Sequence, residues 1–162
     1  MSSNNTDLNV APETAIHRRV VACRAGTDPT VIGRLSTGWA VLGDPQVLHG
    51  YCLLLPDPVV PQLNAMAPAA QAAFLADMAR LGDAVTHVTQ PLRINYAIFG
   101  NLEPALHAHV FPRYADEPAN LRTGNPWLYD WSAAPAFDAG RDAGLREALR
   151  SALGLPGAPP PP

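Results

Sequence analysis

The chain contains no lysine: all 11 basic residues are arginine, and 14 acidic residues outnumber them to give a net charge of -3. With no basic excess to neutralise a phosphate backbone, the composition argues against a dedicated DNA- or RNA-binding domain. Charge of either sign is scarce, at 15% of residues, so the surface leans on neutral polar groups, Ala, Pro and Gly. Cysteine occurs twice, at Cys23 and Cys52, with no CxxC pair; that is too little for a disulfide framework. The apolar runs fall far short of the ~20 residues a membrane span requires. Met1 to Glu13 is polar and lacks the apolar stretch of a secretory leader. A reducing cytoplasm is the expected location. Exclusive use of arginine, with abundant Ala and Pro, suggests a GC-rich bacterial genome.

What is present suits one domain: 162 residues, 48% of them apolar, are enough for a real core. Residues 1–13 read as a flexible N-terminus. Residues 156–162 contain five prolines and read as an extended Pro-rich tail. Residues 14–155 then form a single folding unit, with no internal repeat. Thr14–Arg24 predicts a short helix closed by Gly26. Val31–Leu35, Trp39–Leu42 and Tyr51–Leu55 are strand-like, and Ser36-Thr37-Gly38 makes a tight turn between the first two. Ala67–Thr89 predicts a long helix, because Phe74, Met78, Leu81, Val85 and Val88 recur at helical spacing. Arg93–Phe99 and Leu106–Phe111 are further strands, and Phe137–Leu153 a terminal helix carrying Leu145, Leu149 and Leu153 on one stripe. Strands in runs with helices set apart indicate an α+β domain with an antiparallel sheet.

The chemistry concentrates on the fifth strand. His107 and His109 lie two residues apart, so on a strand both imidazoles project from one face while Leu106, Ala108 and Val110 project from the other. Asn95, on the adjacent strand, can share the histidine face, and Asn101 lies in the connecting loop, where its side chain or nearby amides can hold an anion. His-x-His is also a zinc pattern, but zinc requires a third and usually a fourth ligand. Only His49 or Cys52 could supply one, and no spacing points to either. A structural pair of histidines is the remaining reading of the motif taken alone.

The stretch NYAIFGNLEPALHAHVFPRY, Asn95 to Tyr114, resembles the histidine triad family of nucleotide hydrolases and transferases. That family's signature is three alternating histidines on a strand, often closing with Pro-Arg; the matching positions here are Ala105, His107 and His109, followed by Pro112 and Arg113. WAVLGDPQVLHGYCLLLPDPVVPQLNAM, Trp39 to Met66, resembles the family's pair of core strands and its proline-rich exit. The resemblance implies a HIT-like fold: an antiparallel sheet of about five strands, a long helix packed on it and a C-terminal helix. It also implies a covalent nucleotidyl intermediate on His107, a phosphate contact at His109, and a backbone carbonyl at residue 105 that accepts a hydrogen bond from His107. The diadenosine polyphosphate hydrolase-like branch is the expected one. No cofactor and no metal are implied, the partner is a small-molecule nucleotide, and a homodimer is expected.

Two positions depart from the pattern: Ala105 stands where the first histidine belongs, and Tyr51 where the family often has a histidine at the start of its third strand. Two more residues admit two roles each. Asp44 either accepts ribose hydroxyls or simply opens a turn with Pro45, and Arg113 either binds a distal phosphate or ends the strand. Pro126-Trp127-Leu128-Tyr129 can border the pocket. Nucleotide-binding candidates are therefore Asn95, Asn101, Asp44, Tyr51 and Arg113, with Arg34 a weaker phosphate candidate. The expected activity is hydrolysis or nucleotidyl transfer at the α-phosphate of a dinucleoside polyphosphate or nucleoside phosphoramidate. A nucleotide-binding module with little catalysis, owing to Ala105, is the alternative; a metal-binding protein is the third.

Overall fold

A computed structural model describes residues 13–157. The expected flexible N-terminus (1–13) and Pro-rich tail (156–162) lie almost wholly outside the described residues. The chain opens with α1 (Ala15–Ala25), capped by Thr14 and His17: the Thr14 hydroxyl accepts from the His17 N–H, and the His17 ring accepts from the Thr14 N–H. Gly26 closes the helix at φ 70°, a left-handed conformation in which glycine has no Cβ penalty. The strands β1 (Val31–Arg34), β2 (Gly38–Leu42) and β3 (Cys52–Pro56) follow. Next come the long helix α2 (Pro68–Thr89), then β4 (Arg93–Ala97), β5 (Ala108–Arg113) and α3 (Ala143–Ala152).

The five strands form one antiparallel sheet in the order β1-β2-β3-β5-β4. Alternation along the strands builds a core on each face. Ala40, Leu42, Cys52, Leu54, Ala108 and Val110 face α2 and α3, where Phe74, Leu81, Val85 and Leu149 are fully buried. Each such side chain contributes roughly 1.5–3 kcal/mol of burial. Val41, Leu53, Leu55 and Phe111 face the other way, onto Ile16, Val20 and Cys23 of α1. Every residue of β3 is buried, so its Leu-Leu-Leu run reflects covering on both faces. Asp77 of α2 ties the helix to the β1–β2 turn: its Oδ2 accepts from Ser36 Oγ and from the Thr37 N–H and hydroxyl, at 2.7, 2.8 and 2.8 Å.

Four boundaries differ from the sequence expectation by two residues or more. The fifth strand begins at Ala108 rather than Leu106, so His107 stands just before it, and it runs on through Pro112 to Arg113. Proline is tolerated there because β3 pairs with β5 only as far as Val110; at Pro112 the neighbour is β4 alone. The fourth strand ends at Ala97, two residues before Phe99. The last helix begins at Ala143 rather than Phe137, because Phe137–Asp142 is held as a turn: the Phe137 N–H donates to Asp44 Oδ1 and the Asp142 N–H to the Asp138 carbonyl, at 2.8 and 2.9 Å.

Candidate active site

His107 and His109 emerge side by side where the chain enters β5, with ring centroids 4.9 Å apart. They line a cavity of about 460 Å³. Its other polar walls are Asn101, Glu103 and Asn125, and its apolar walls Phe99, Leu102 and Trp127. Both imidazoles are largely buried, at 8% and 9% exposure.

Each ring has one nitrogen held from behind. His107 Nδ1 lies 2.8 Å from the Ala105 carbonyl oxygen. A carbonyl can only accept, so Nδ1 carries the proton and Nε2 keeps its lone pair. His109 Nδ1 lies 2.7 Å from the Tyr51 hydroxyl, at the buried start of β3. Burial, with a smaller push from His107, brings the His109 pKa down to about 4, so this ring is neutral at pH 7. Tyr51, His109 and Phe111 lie in near-parallel planes, and Trp131 meets the Tyr51 ring edge-on.

The segment after β5 forms the wall over His109. Trp127 and His109 meet edge to face with ring centroids 5.1 Å apart, and Trp127 packs against Phe99 with centroids 5.0 Å apart. Asn125 fixes the tryptophan by accepting its N–H at 3.0 Å. The anchor is Arg113, which donates to Glu117, to the carbonyls of Leu121 and Arg122, and through Nη1 to the Gly124 carbonyl. Glu117 in turn accepts from the Tyr114 N–H and the Tyr129 hydroxyl.

Of the candidate residues, His107, His109 and Asn101 meet at the cavity. Four others do not. Arg113 is spent on the Glu117 clamp and is 4% exposed, so its guanidinium does not face the histidines. Asp44 is exposed and its Oδ1 accepts from the Phe137 N–H, a long-range tie that neither of its two expected roles described. Asn95 shares the histidine face but pairs with Phe111, one step beyond His109, and lines an adjoining cleft with Trp127. Tyr51 sits behind His109 rather than in the cavity, and Arg34 lies over the Trp39 ring. Glu103, Phe99 and Leu102 escaped sequence reading; the signal was a large apolar pair left in a Gly- and Pro-bounded loop, where Leu102 is 93% exposed. Among the described residues, no three His, Cys, Asp or Glu side chains are grouped to hold a metal ion.

No protein-family profile matches the sequence, and no curated protein matches it significantly. Solved structures do. A histidine triad protein from Bradyrhizobium japonicum is 25% identical, with a TM-score of 0.67 over 80% of this chain and 94% of that one. A histidine triad protein from Marinobacter aquaeolei, 19% identical, superposes with a TM-score of 0.70 over 88% of this chain and 98% of the other. The fold is the histidine triad fold. A hypothetical histidine triad nucleotide-binding protein from Sulfolobus tokodaii shares it at 12% identity, with a TM-score of 0.65 over 83% and 90% of the two chains. Within the histidine triad fold, this chain places Ala105 and His107 just before β5 and His109 inside it, with the two histidines lining the cavity.

Proposed function

We propose that the protein is a histidine triad hydrolase or nucleotidyl transferase acting at the α-phosphorus of a nucleotide conjugate. The observation that carries this reading is the 2.8 Å bond from His107 to the Ala105 carbonyl, which leaves the Nε2 lone pair facing the cavity. Nε2 attacks phosphorus; the P–N bond forms as the bond to the leaving group breaks, and the leaving group takes up a proton from solvent. Water then attacks the nucleotidyl-histidine, the P–N bond breaks, and a nucleoside monophosphate is released. Asn101 and His109 supply neutral donors for the phosphoryl oxygens, whose charge grows in the transition state. The missing imidazole at Ala105 does not remove the carbonyl that orients the nucleophile.

The lining also bears on the leaving group. Among the described residues, the cavity walls include no arginine and one carboxylate, Glu103. A polyphosphate leaving group meets no cation there and is repelled by Glu103, whereas an amine released from a phosphoramidate is not. This favours nucleoside phosphoramidates over dinucleoside polyphosphates. The nucleotide-binding description of the Sulfolobus neighbour agrees with a nucleotide ligand.

The test is a substrate panel of both conjugate classes with wild type and His107→Ala, and mass spectrometry after brief mixing. A nucleotidyl adduct on wild type and none on the variant is expected, with turnover reduced at least 10³-fold, on the order of losing a covalent nucleophile. Undiminished turnover in His107→Ala overturns the mechanism. AMP binding with neither adduct nor turnover selects the binding-module alternative.

A further inference from the structure

Tyr51 is not used by the chemistry above, yet it is placed with unusual care for a residue that only fills space. It is 3% exposed, and its ring packs on Phe111 at 4.4 Å and meets Trp131 edge-on. Gly43 makes room for it: a Cβ at that position would fall on the Tyr51 ring, and the Gly43 N–H donates to the Tyr51 carbonyl at 2.8 Å. The hydroxyl emerges from this seat against one partner among the described residues, Nδ1 of His109, at 2.7 Å.

The direction of that bond follows from satisfaction. If the phenol accepted a proton from Nδ1, its own O–H would be left without an acceptor in a dry site, which is costly. If it donates, the hydroxyl is satisfied and Nδ1 has no need of a proton. We propose that Tyr51 is a positioning residue that donates to His109 Nδ1 and thereby fixes His109 as the neutral tautomer with its proton on Nε2, a hydrogen-bond donor to the cavity. The neighbouring pair then carries opposite tautomers for two structural reasons. A carbonyl behind His107 compels Nδ1–H and a bare Nε2; a phenol behind His109 compels a bare Nδ1 and Nε2–H. One ring attacks while the other receives the displaced charge, a division of labour that rests on the phosphoryl-transfer reading, although the tautomer itself does not.

The cationic form of His109 requires a proton on Nδ1 and so a reversed, orphaned phenol. Other ionisable groups near the pair are few: His107 beside His109, Glu103 in the same cavity, and Arg19 of α1 and the Cys52 thiol toward Tyr51. Burial holds the Tyr51 phenol protonated well above its ordinary range, so it remains a donor throughout neutral pH.

The deciding measurement is the long-range proton–nitrogen spectrum of the imidazoles in uniformly 15N-labelled protein between pH 8 and pH 5. In wild type, His109 Nδ1 is expected at the position of a bare nitrogen and Nε2 at that of a protonated one, both unmoved across the range. In Tyr51→Phe, which keeps the ring packing, His109 becomes a tautomer mixture, and its Nδ1 and Nε2 signals move toward each other. Gly43→Ala, which displaces the ring without removing the hydroxyl, produces the same change. A wild-type spectrum with Nδ1 protonated overturns the proposal without any variant, and so does a Tyr51→Phe spectrum identical to wild type. The spectrum is read without substrate, so it stands whether or not the enzyme reading does. Where turnover is present, Tyr51→Phe should lower kcat rather than raise KM; a raised KM with kcat unchanged counts against the role.

Discussion

Replacing Glu117 with Ala removes the counterion of a buried guanidinium. Arg113 and Glu117 are 4% and 8% exposed, with Nη2 2.8 Å from Oε2, and Nε also reaches both carboxylate oxygens. The remaining Arg113 donors end on the carbonyls of Leu121, Arg122 and Gly124, none of which carries a charge. Removing one partner of such a pair costs about 3–5 kcal/mol, because the other charge stays buried. For a chain of 162 residues that corresponds to a Tm lower by roughly 10–15 °C. Urea and thermal unfolding followed by circular dichroism measure it. Arg113→Met combined with Glu117→Leu removes both charges, so most of the loss should be recovered, and the double-mutant cycle should show strong coupling. A single-variant loss below about 1 kcal/mol, or losses that simply add, would refute the argument. The experiment also separates the clamp from the phosphate-binding role that the sequence allowed for Arg113. A phosphate ligand predicts a raised KM with unchanged Tm; a clamp predicts the reverse order of effects.

Acid should weaken the fold through His109. Its pKa is held down at about 4 by burial, whereas the unfolded chain takes up the proton near pH 6.5. Stability is therefore unaffected above pH 6.5 and falls by about 3 kcal/mol as pH drops toward 4; urea midpoints should show this limb flattened in His109→Gln, and an equal decline in the variant would contradict it. The two thiols should be inert in the native state. Burial pushes Cys23 up to about 12 and raises Cys52 as well; a disulfide reagent at pH 8 should label neither until the protein unfolds, and rapid native labelling would show that these sites open.

The periodic elements were readable because each has one buried face. Phe74, Leu81 and Val85 announce α2, and the Leu-Leu-Leu run of β3 announces a strand covered on both sides. The histidine pair was readable because period-two alternation needs only local geometry, and the resemblance to the histidine triad pattern added the roles proposed for them. What sequence could not supply was long-range commitment. Nothing local to Arg113 says that Glu117 and three carbonyls will consume it, nor that Asp44 will be claimed by the Phe137 N–H, 93 residues away. Phe99 and Leu102 were invisible for the same reason: they lie where no periodicity marks them, and they meet Trp127, whose segment the sequence did set beside the pocket, only when the clamp folds the chain after β5 back over His109.

The Ala105 carbonyl has a consequence for mutational tolerance. What residue 105 gives to its neighbour two positions on is a peptide oxygen, which every amino acid possesses, so no point substitution can delete it. The constraint at this position is therefore one of volume, since the methyl group is wholly enclosed and shares a cluster with Ile16 and Val20. Small residues should interchange there freely, while bulky ones would shift the peptide plane and swing the ring away from its target. Sequence drift can erase a motif letter at such a place and leave its geometry intact.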